Sequence, residues 1–252
     1  MSESSESSDY TSTGTIKKCD DAKKLKKLKL FYKEEFLNNS GLTLDSNERY
    51  TEVIAGWVIK KLEEFKQIEQ IYRITSYCTN GHDGKNNPAS KSERNIAKRI
   101  FLQGKKEGIS GIGLILDYET PLRNIRSDEV GNIDLLAFDR EKKVLRILEL
   151  KQPNNINESM LRCVLEAYTY LRLVDKEKLI DDFNREKHVN IPSSTVFVAC
   201  PLVFRNSVQH KELQEMQEGL RPNLKKLIEQ LEVRPMIIEK NETIYSAYEL
   251  EL

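Results

Sequence analysis

The sequence predicts an α/β domain with a mixed β-sheet that is covered by helices on both faces, preceded by an N-terminal helical extension. Several segments carry apolar residues at helical spacing, and short aliphatic runs bounded by turn residues lie between them. The segments follow the order helix, three strands, helix, strand, and both faces of the predicted strands are largely apolar. A sheet that is buried on both sides requires this pattern.

Length, charge and cysteine content narrow the class of protein. The 252 residues suffice for one domain with a sizeable core. The 40 basic and 40 acidic residues give a formal net charge of +0, which excludes a globally basic nucleic-acid binder but is compatible with a local basic groove. Four scattered cysteines without C-x-x-C spacing indicate reduced thiols. Because no apolar run could span a bilayer and the N-terminus lacks a secretory segment, we expect a cytoplasmic protein with no membrane partner.

The N-terminal quarter is predicted to be helical. Residues 1–16 are rich in Ser and Thr, and we expect a disordered tail there. A helical region follows at 17–69 and begins with a lysine-rich segment. A second helix, with Asp45 or Ser46 as its N-cap, has a stripe of core residues: Tyr50, Val53, Ile54, Trp57, Val58, Leu62 and Phe65. The sheet domain is placed at 70–252, with a short first strand at 71–77.

The remaining elements follow in order. A helix is predicted at 90–104, where Ser90 and Glu93 have the spacing of a capping box and Gly104 lies near the end. We then expect a strand at 113–122, a hairpin at 132–153, a helix at 157–174 and a buried strand at 194–204. A charged helix at 220–231 and two strands, at 234–239 and 243–250, complete the chain.

The hairpin, NIDLLAFDREKKVLRILELKQP, brings ionisable residues together. If Phe138 faces Leu145, Asp134 lies opposite Glu149, and Lys151 points to the same face. That face then carries Asp134, Leu136, Phe138, Leu145, Ile147, Glu149 and Lys151. The other face carries Ile133, Leu135, Ala137, Val144, Arg146, Leu148 and Leu150. A slip of one residue would separate the two carboxylates.

These residues have the chemistry of a metal site. Two facing carboxylates repel each other in a poorly solvated place unless a cation lies between them. Mg²⁺ usually takes one or two carboxylates and leaves its other positions to water and substrate phosphates. Lys151 could orient or deprotonate an attacking water, or stabilise charge on a phosphate. The alternative is that all three residues are solvated ends of strands.

The motif GNIDLLAFD, a short turn, VLRILELKQP and a helix containing EAYTYL together resemble the P-D-(D/E)-X-K nuclease superfamily, in particular its RecB-like branch. The resemblance covers about residues 90–200 and implies a restriction-endonuclease-like core. It also implies a magnesium-dependent phosphodiesterase site, in which Mn²⁺ can replace Mg²⁺. Asp134 and Glu149 would bind the metal together with the carbonyl of Leu150, and Lys151 would assist water activation.

The resemblance extends to the two flanking helices. An acidic residue on the preceding helix often completes the family site, and Glu93 is the candidate, with a simple capping role as its alternative. The RecB-like branch has a Gln-x-x-x-Tyr motif where this chain has Glu166 and Tyr170, with Arg162 one turn earlier. The chain departs from the family pattern in that Glu replaces this Gln, and Ile133 replaces the Pro before the Asp. Leu165 and Tyr168 are expected in the core.

The sequence thus predicts a metal-dependent nuclease that hydrolyses phosphodiester bonds of nucleic acid, with DNA favoured over RNA. Basic residues around Glu93 are candidates for contacts with the phosphate backbone: Lys85, Lys91, Arg94, Lys98, Arg99, Lys105 and Lys106. The first alternative is a catalytically silent nuclease-like module that binds nucleic acid or a protein. The second is a structural interaction protein that uses the lysine-rich helix. A homo-oligomer is compatible with all three.

Other chemistries fit less well. The three histidines are far apart in the sequence and lie mostly in polar segments, which disfavours a hydrolytic triad or a zinc site at Cys78 and His82. The glycines at 108–113 are not followed by a phosphate-binding motif, and strand and helix come in the wrong order for a dinucleotide loop.

Overall fold

Six strands form one mixed sheet. The computed structural model describes residues 11–25, 28–79, 92–124 and 129–251. The strands lie side by side in chain order. They are β1 Leu114–Pro121, β2 Asn132–Asp139, β3 Val144–Lys151, β4 Val196–Phe204, β5 Met236–Asn241 and β6 Ile244–Glu249. The pairs β3–β4 and β4–β5 are parallel and the other three are antiparallel.

Helices cover both faces of this sheet. They are α1 Ser12–Leu25, α2 Tyr50–Lys60, α3 Leu62–Lys66, α4 Glu93–Glu107, α5 Met160–Leu173, α6 Lys176–Lys187, α7 Val208–Gln217 and α8 Pro222–Gln230, with 3-10 segments at Leu28–Lys33 and Glu35–Asn38. Helix α4 packs on one face, and α5 and the N-terminal helices pack on the other. The predicted α/β class is therefore confirmed, and the order α4-β1-β2-β3-α5-β4 is consistent with a restriction-endonuclease-like core. Helices α6 and α7 are additions to the elements predicted from the sequence.

Two predicted properties of the chain can be compared with the structure. No helix in the described ranges is long and apolar enough to cross a membrane. All four cysteines are unpaired and buried, as the lack of a disulfide pattern predicted.

The hairpin between β2 and β3 has the predicted register. Phe138 pairs with Leu145, and the ladder continues to Leu135 opposite Leu148. The paired residues end there, one position before Asp134 and Glu149. Ile133 is an exception to the predicted faces, because it packs in the cluster on the α5 side. It lies beyond the last residue of β2 that pairs with β3, so only β1, through Thr120, pairs with it there.

The N-terminal helices begin at other residues than predicted. Helix α1 starts at Ser12, within the expected tail, since Thr11 accepts hydrogen bonds from the backbone of Gly14 and Thr15. The Asp45 side chain accepts the Ser12 N–H, and Ser46 Oγ lies 2.8 Å from Ser12 Oγ. The side chains of both predicted N-caps, Asp45 and Ser46, thus contact the start of α1 and do not cap α2. Helix α2 starts later, after Arg49, without a side-chain cap.

The strand predicted at 71–77 is wrong, because this segment is irregular. Its polar backbone groups are paired outside the sheet. Ile71 N–H donates to the carbonyl of Leu173, and the Arg73 guanidinium donates to the carbonyls of Ser76 and Arg123. Tyr72 and Ile74 point outward, with 79% and 87% of their surface exposed.

The N-terminal helical region shares one core with the sheet. Residues from α1, α2 and the first 3-10 segment belong to the same apolar cluster as Leu136 and Ile147 of the sheet. Glu52 on α2 also accepts the backbone N–H groups of Asn223 and Leu224, at 2.7 and 3.1 Å, where α8 begins. A carboxylate at this position accepts hydrogen bonds from N–H groups of the first helical turn that would otherwise be unpaired. Its negative charge also interacts favourably with the helix dipole.

We expect Glu52→Ala to lower the free energy of unfolding by about 2 kcal/mol, because it leaves helix N–H groups without a partner. Urea denaturation followed by circular dichroism measures the change. Glu48→Ala is the matched control, since Glu48 is exposed and only its outer end approaches Asn223, at 3.5 Å. The control should change stability by less than about 0.5 kcal/mol. Equal losses in the two variants would contradict the role given to Glu52.

Candidate active site

The candidate site lies at the end of the central strand β3. All eight residues of β3 are buried, because helices cover both of its faces. Aliphatic side chains fill most of the strand, yet it ends in Glu149-Leu150-Lys151. Glu149 and Lys151 keep only 4% and 2% of their surface exposed. Charged groups so deeply buried need partners close by.

Asp134 reaches across to β3 where the ladder has ended. Its Oδ2 atom accepts the backbone N–H of Leu150, at 2.8 Å. The side chain thus takes the place of a backbone acceptor on β2. Burial, the first cause, and the carboxylate of Glu93 raise the pKa of Asp134 well above its usual range, although the Lys151 ammonium opposes this shift.

Lys151 is surrounded by three carboxylates. Its Nζ atom lies 2.9 Å from Glu149 Oε1, 3.0 Å from Glu158 Oε2 and 3.2 Å from Glu166 Oε2. Burial alone would lower the pKa of this lysine. The Glu149 and Glu166 carboxylates outweigh burial, and the pKa is raised well above the ordinary value. Lys151 is therefore an ammonium at neutral pH, suited to donating hydrogen bonds.

Lys151 provides a hydrogen-bond partner for only one of the two carboxylate oxygens of Glu149. Its Oε2 atom is buried and has no hydrogen-bond partner. Burial raises the pKa of Glu149 well above its usual range, and the negative charges of Asp134 and Glu166 raise it further. An unpaired carboxylate oxygen in this environment is costly, so a second cation would be bound favourably here.

Glu93 belongs to the same site and is not a helix cap. The N-cap of α4 is Ser92, and Glu93 is the first helical residue. Its Oε1 atom instead accepts the backbone N–H of Gln152, at 3.0 Å, directly after Lys151. Burial raises the pKa of Glu93. The other half of the expected capping box, Ser90, lies outside the described residues.

Helix α5 contributes the Glu-x-x-x-Tyr pair. The Tyr170 hydroxyl donates to Glu166 Oε1 at 3.0 Å, while the other Glu166 oxygen faces Lys151. Gly131 leaves space for this hydroxyl, since a Cβ atom there would overlap it. The pair thus lies beside the site, whereas Leu165 and Tyr168 are buried in the core as expected.

Glu158, which precedes α5, was missed by the sequence analysis. Burial would raise its pKa, but the Lys151 ammonium more than offsets burial, and the pKa is lowered. Gln209 on α7 secures this loop, because its side chain donates to the carbonyls of Asn155 and Glu158. The only local signal was the four-residue spacing to Arg162, whose Nε lies 3.5 Å from Glu158 Oε1.

Only some of the basic side chains that were predicted to contact phosphate lie at the candidate site. Arg162 joins it through Glu158. Arg94 is exposed and Lys98 half-buried on α4, and within the described residues neither forms an ion pair with the carboxylates around Lys151. Lys85, Lys91 and His82 lie outside the described residues.

The donor set partly fits a divalent metal. In the described ranges, no group of three or more His, Cys, Asp or Glu side chains is arranged to hold an ion. Two carboxylates from adjacent strands, Asp134 and Glu149, are nevertheless close enough to raise a pKa, and one buried oxygen has no partner. Leu150 turns its N–H to Asp134, and its carbonyl points to the same side of the strand. One or two carboxylates suffice for Mg²⁺.

Comparisons with known proteins neither support nor contradict the resemblance. No protein-family model, no curated protein and no solved structure matches this chain. The site must therefore be interpreted from its own chemistry.

We expect Asp134→Asn to raise the free energy of unfolding by about 1 kcal/mol at pH 8 in EDTA. A carboxylate whose folded pKa is raised destabilises the folded state as pH rises above the ordinary value. The amide oxygen can still accept the Leu150 N–H. Thermal unfolding of the two proteins measures the change.

Asp139→Asn, on the same strand, is the control with the opposite sign. Although burial acts against it, hydrogen bonds from Lys142 N–H and the Arg146 guanidinium lower the pKa of Asp139. This carboxylate stabilises the fold at pH 8, and the stabilisation is lost as pH falls through the folded pKa. The control variant should melt at a lower temperature. If both variants melt lower, the charge repulsion assigned to Asp134 is wrong.

Proposed function

We propose that this protein is a metal-dependent nuclease of the P-D-(D/E)-X-K type that hydrolyses phosphodiester bonds, with DNA as the favoured substrate. One observation carries the proposal. Asp134 and Glu149 lie on adjacent strands beside a buried lysine, and one Glu149 oxygen is without a partner. A purely structural cluster has little reason to retain such a conflict of charges.

The charge balance of the site favours a metal. Five carboxylates, from Glu93, Asp134, Glu149, Glu158 and Glu166, surround the ammonium of Lys151. A phosphodiester would be repelled by this excess of negative charge. Mg²⁺ or Mn²⁺ held by Asp134, Glu149 and the Leu150 carbonyl would supply the missing positive charge and polarise the phosphate.

The residues of the chain then have separate tasks. The Lys151 ammonium orients the attacking water and stabilises negative charge on a phosphate oxygen, while Glu166 and Glu158 hold it in position. Glu93 accepts the proton that the water loses, since it lies at the same site and burial raises its pKa, which makes the carboxylate more basic. Tyr170 keeps the Glu166 carboxylate oriented.

Metal-dependent cleavage tests this function. Purified protein is incubated with supercoiled DNA, linear duplex, single-stranded DNA and RNA in the presence of Mg²⁺, Mn²⁺ or EDTA. We expect cleavage of at least one substrate with metal and none with EDTA. Lys151→Ala should reduce the rate by at least about 100-fold, because it removes the ammonium that contacts Glu149 and would orient the water.

Two further variants keep this test decisive. Glu149→Gln retains the size of the side chain and should also abolish cleavage, whereas Lys142→Ala, in the exposed turn between β2 and β3, should leave the rate unchanged. Circular dichroism verifies that each variant is folded. A folded wild-type protein that cleaves no substrate in either metal would favour the silent binding module instead.

Metal binding can be measured independently of cleavage. Isothermal titration of wild-type protein with Mn²⁺ should show a site whose affinity falls about tenfold or more in Glu149→Gln. Glu158→Gln is the matched control, since Glu158 contacts Lys151 and lies outside the proposed metal ligands. Equal affinities in wild type and Glu149→Gln would contradict the ligand assignment.

A further inference from the structure

A pocket of about 300 Å³ opens beside the candidate site, between α4, the end of β3 and the hairpin of β5 and β6. We call it the α4–β6 pocket. Its lining combines apolar, aromatic, amide and basic side chains: Ile96, Arg99, Gln152, Pro153, Asn154, Phe204, Lys240 and Tyr245. Its volume lies at the lower end of the range for small-ligand pockets.

The pocket adjoins the candidate site through Gln152 and Ile96. Gln152 directly follows Lys151, and its backbone N–H donates to Glu93. Ile96 lies one turn after Glu93 on the same face of α4 and is buried. A group bound in the pocket would therefore lie next to the substrate phosphate that Lys151 is proposed to contact.

The wall formed by β4 and β6 is aromatic and held in place. The rings of Phe204 and Tyr245 meet edge to face, with centroids 6.5 Å apart. The Gln103 side chain bonds both backbone groups of Tyr245, donating to its carbonyl at 3.0 Å and accepting its N–H at 2.9 Å. The wall is thus formed before any ligand enters.

The rim provides cations and amides. Lys240 is exposed, and its Nζ lies 5.7 Å from the centroid of the Tyr245 ring. Within the described part of the chain Lys240 has no ion pair, and the neighbouring acid, Glu239, is paired with Arg205. Gln152 and Asn154 carry side-chain amides that can donate and accept hydrogen bonds.

We propose that the α4–β6 pocket binds an unpaired nucleotide next to the scissile phosphate, so that the enzyme acts on single-stranded nucleic acid. This inference rests on the proposed nuclease function. An apolar and aromatic wall suits the face of a base, amides suit its edge, and Lys240 and Arg99 match the charge of the adjoining phosphate. A base in a duplex is stacked and paired and cannot enter such a pocket without being extruded.

Binding in Ca²⁺, a divalent ion that carboxylate and carbonyl oxygens also bind, tests this proposal with the negative charge of the candidate site neutralised. Fluorescence anisotropy compares short single-stranded DNA, single-stranded RNA and duplex DNA of matched length. We expect both single strands to bind at least about tenfold more tightly than the duplex. Lys240→Glu and Asn154→Ala should each weaken single-strand binding, the former about tenfold, with a salt slope lower by about 0.7. Both side chains are exposed, so the variants should fold.

The control and the cleavage assay separate this proposal from the proposed function. Lys226→Glu makes the same charge change on α8 and should leave single-strand binding unchanged. Equal binding of duplex and single strands, or equal losses in Lys240→Glu and Lys226→Glu, overturns the pocket proposal even if cleavage occurs. Pocket-dependent binding of single strands without cleavage in Mg²⁺ or Mn²⁺ supports the pocket and overturns the nuclease function. A difference in affinity between single-stranded DNA and single-stranded RNA shows which sugar, deoxyribose or ribose, the protein prefers.

Discussion

The burial of the Lys151 ammonium at the end of the central strand is the interaction on which the site depends. An ammonium removed from water is costly unless carboxylates surround it. Three parts of the chain supply them: Glu149 from β3, Glu158 from the loop before α5, and Glu166 from α5. Each of these parts must therefore be in place for the strand end to remain buried. The Lys151 ammonium thus links the sheet, the loop and the helix.

The charge of Lys151 does not balance the acidic groups around it. Asp134 and Glu149 both have a raised pKa, and a Glu149 oxygen is left unpaired in the interior. The folded protein would be more stable with fewer carboxylates at this position. Proteins retain such costly arrangements mainly where they bind or transform a ligand. The cost of the site is the physical basis for assigning chemistry to it.

The N-terminal helices support this site indirectly by holding α5. Ser159 caps α5, and its hydroxyl also donates to the carbonyl of Leu37 at 2.6 Å. Tyr32 packs edge to face on Tyr170, with ring centroids 5.5 Å apart. Because α5 carries Glu166, the lysine-rich region is part of the scaffold that positions the carboxylates. This region is therefore an integral part of the folded domain.

The sequence by itself determined the alternation of β3 and, from Leu135 onward, of β2, as well as the pairing of Phe138 with Leu145 and the spacing of Glu166 and Tyr170. These features follow from the local periods of strands and helices, which a single segment encodes. Only the tertiary structure decided that Glu158 reaches Lys151, that Glu93 accepts the Gln152 N–H instead of capping α4, and that 71–77 is irregular. Each of these outcomes depends on contacts between separate elements, and no local pattern specifies those contacts.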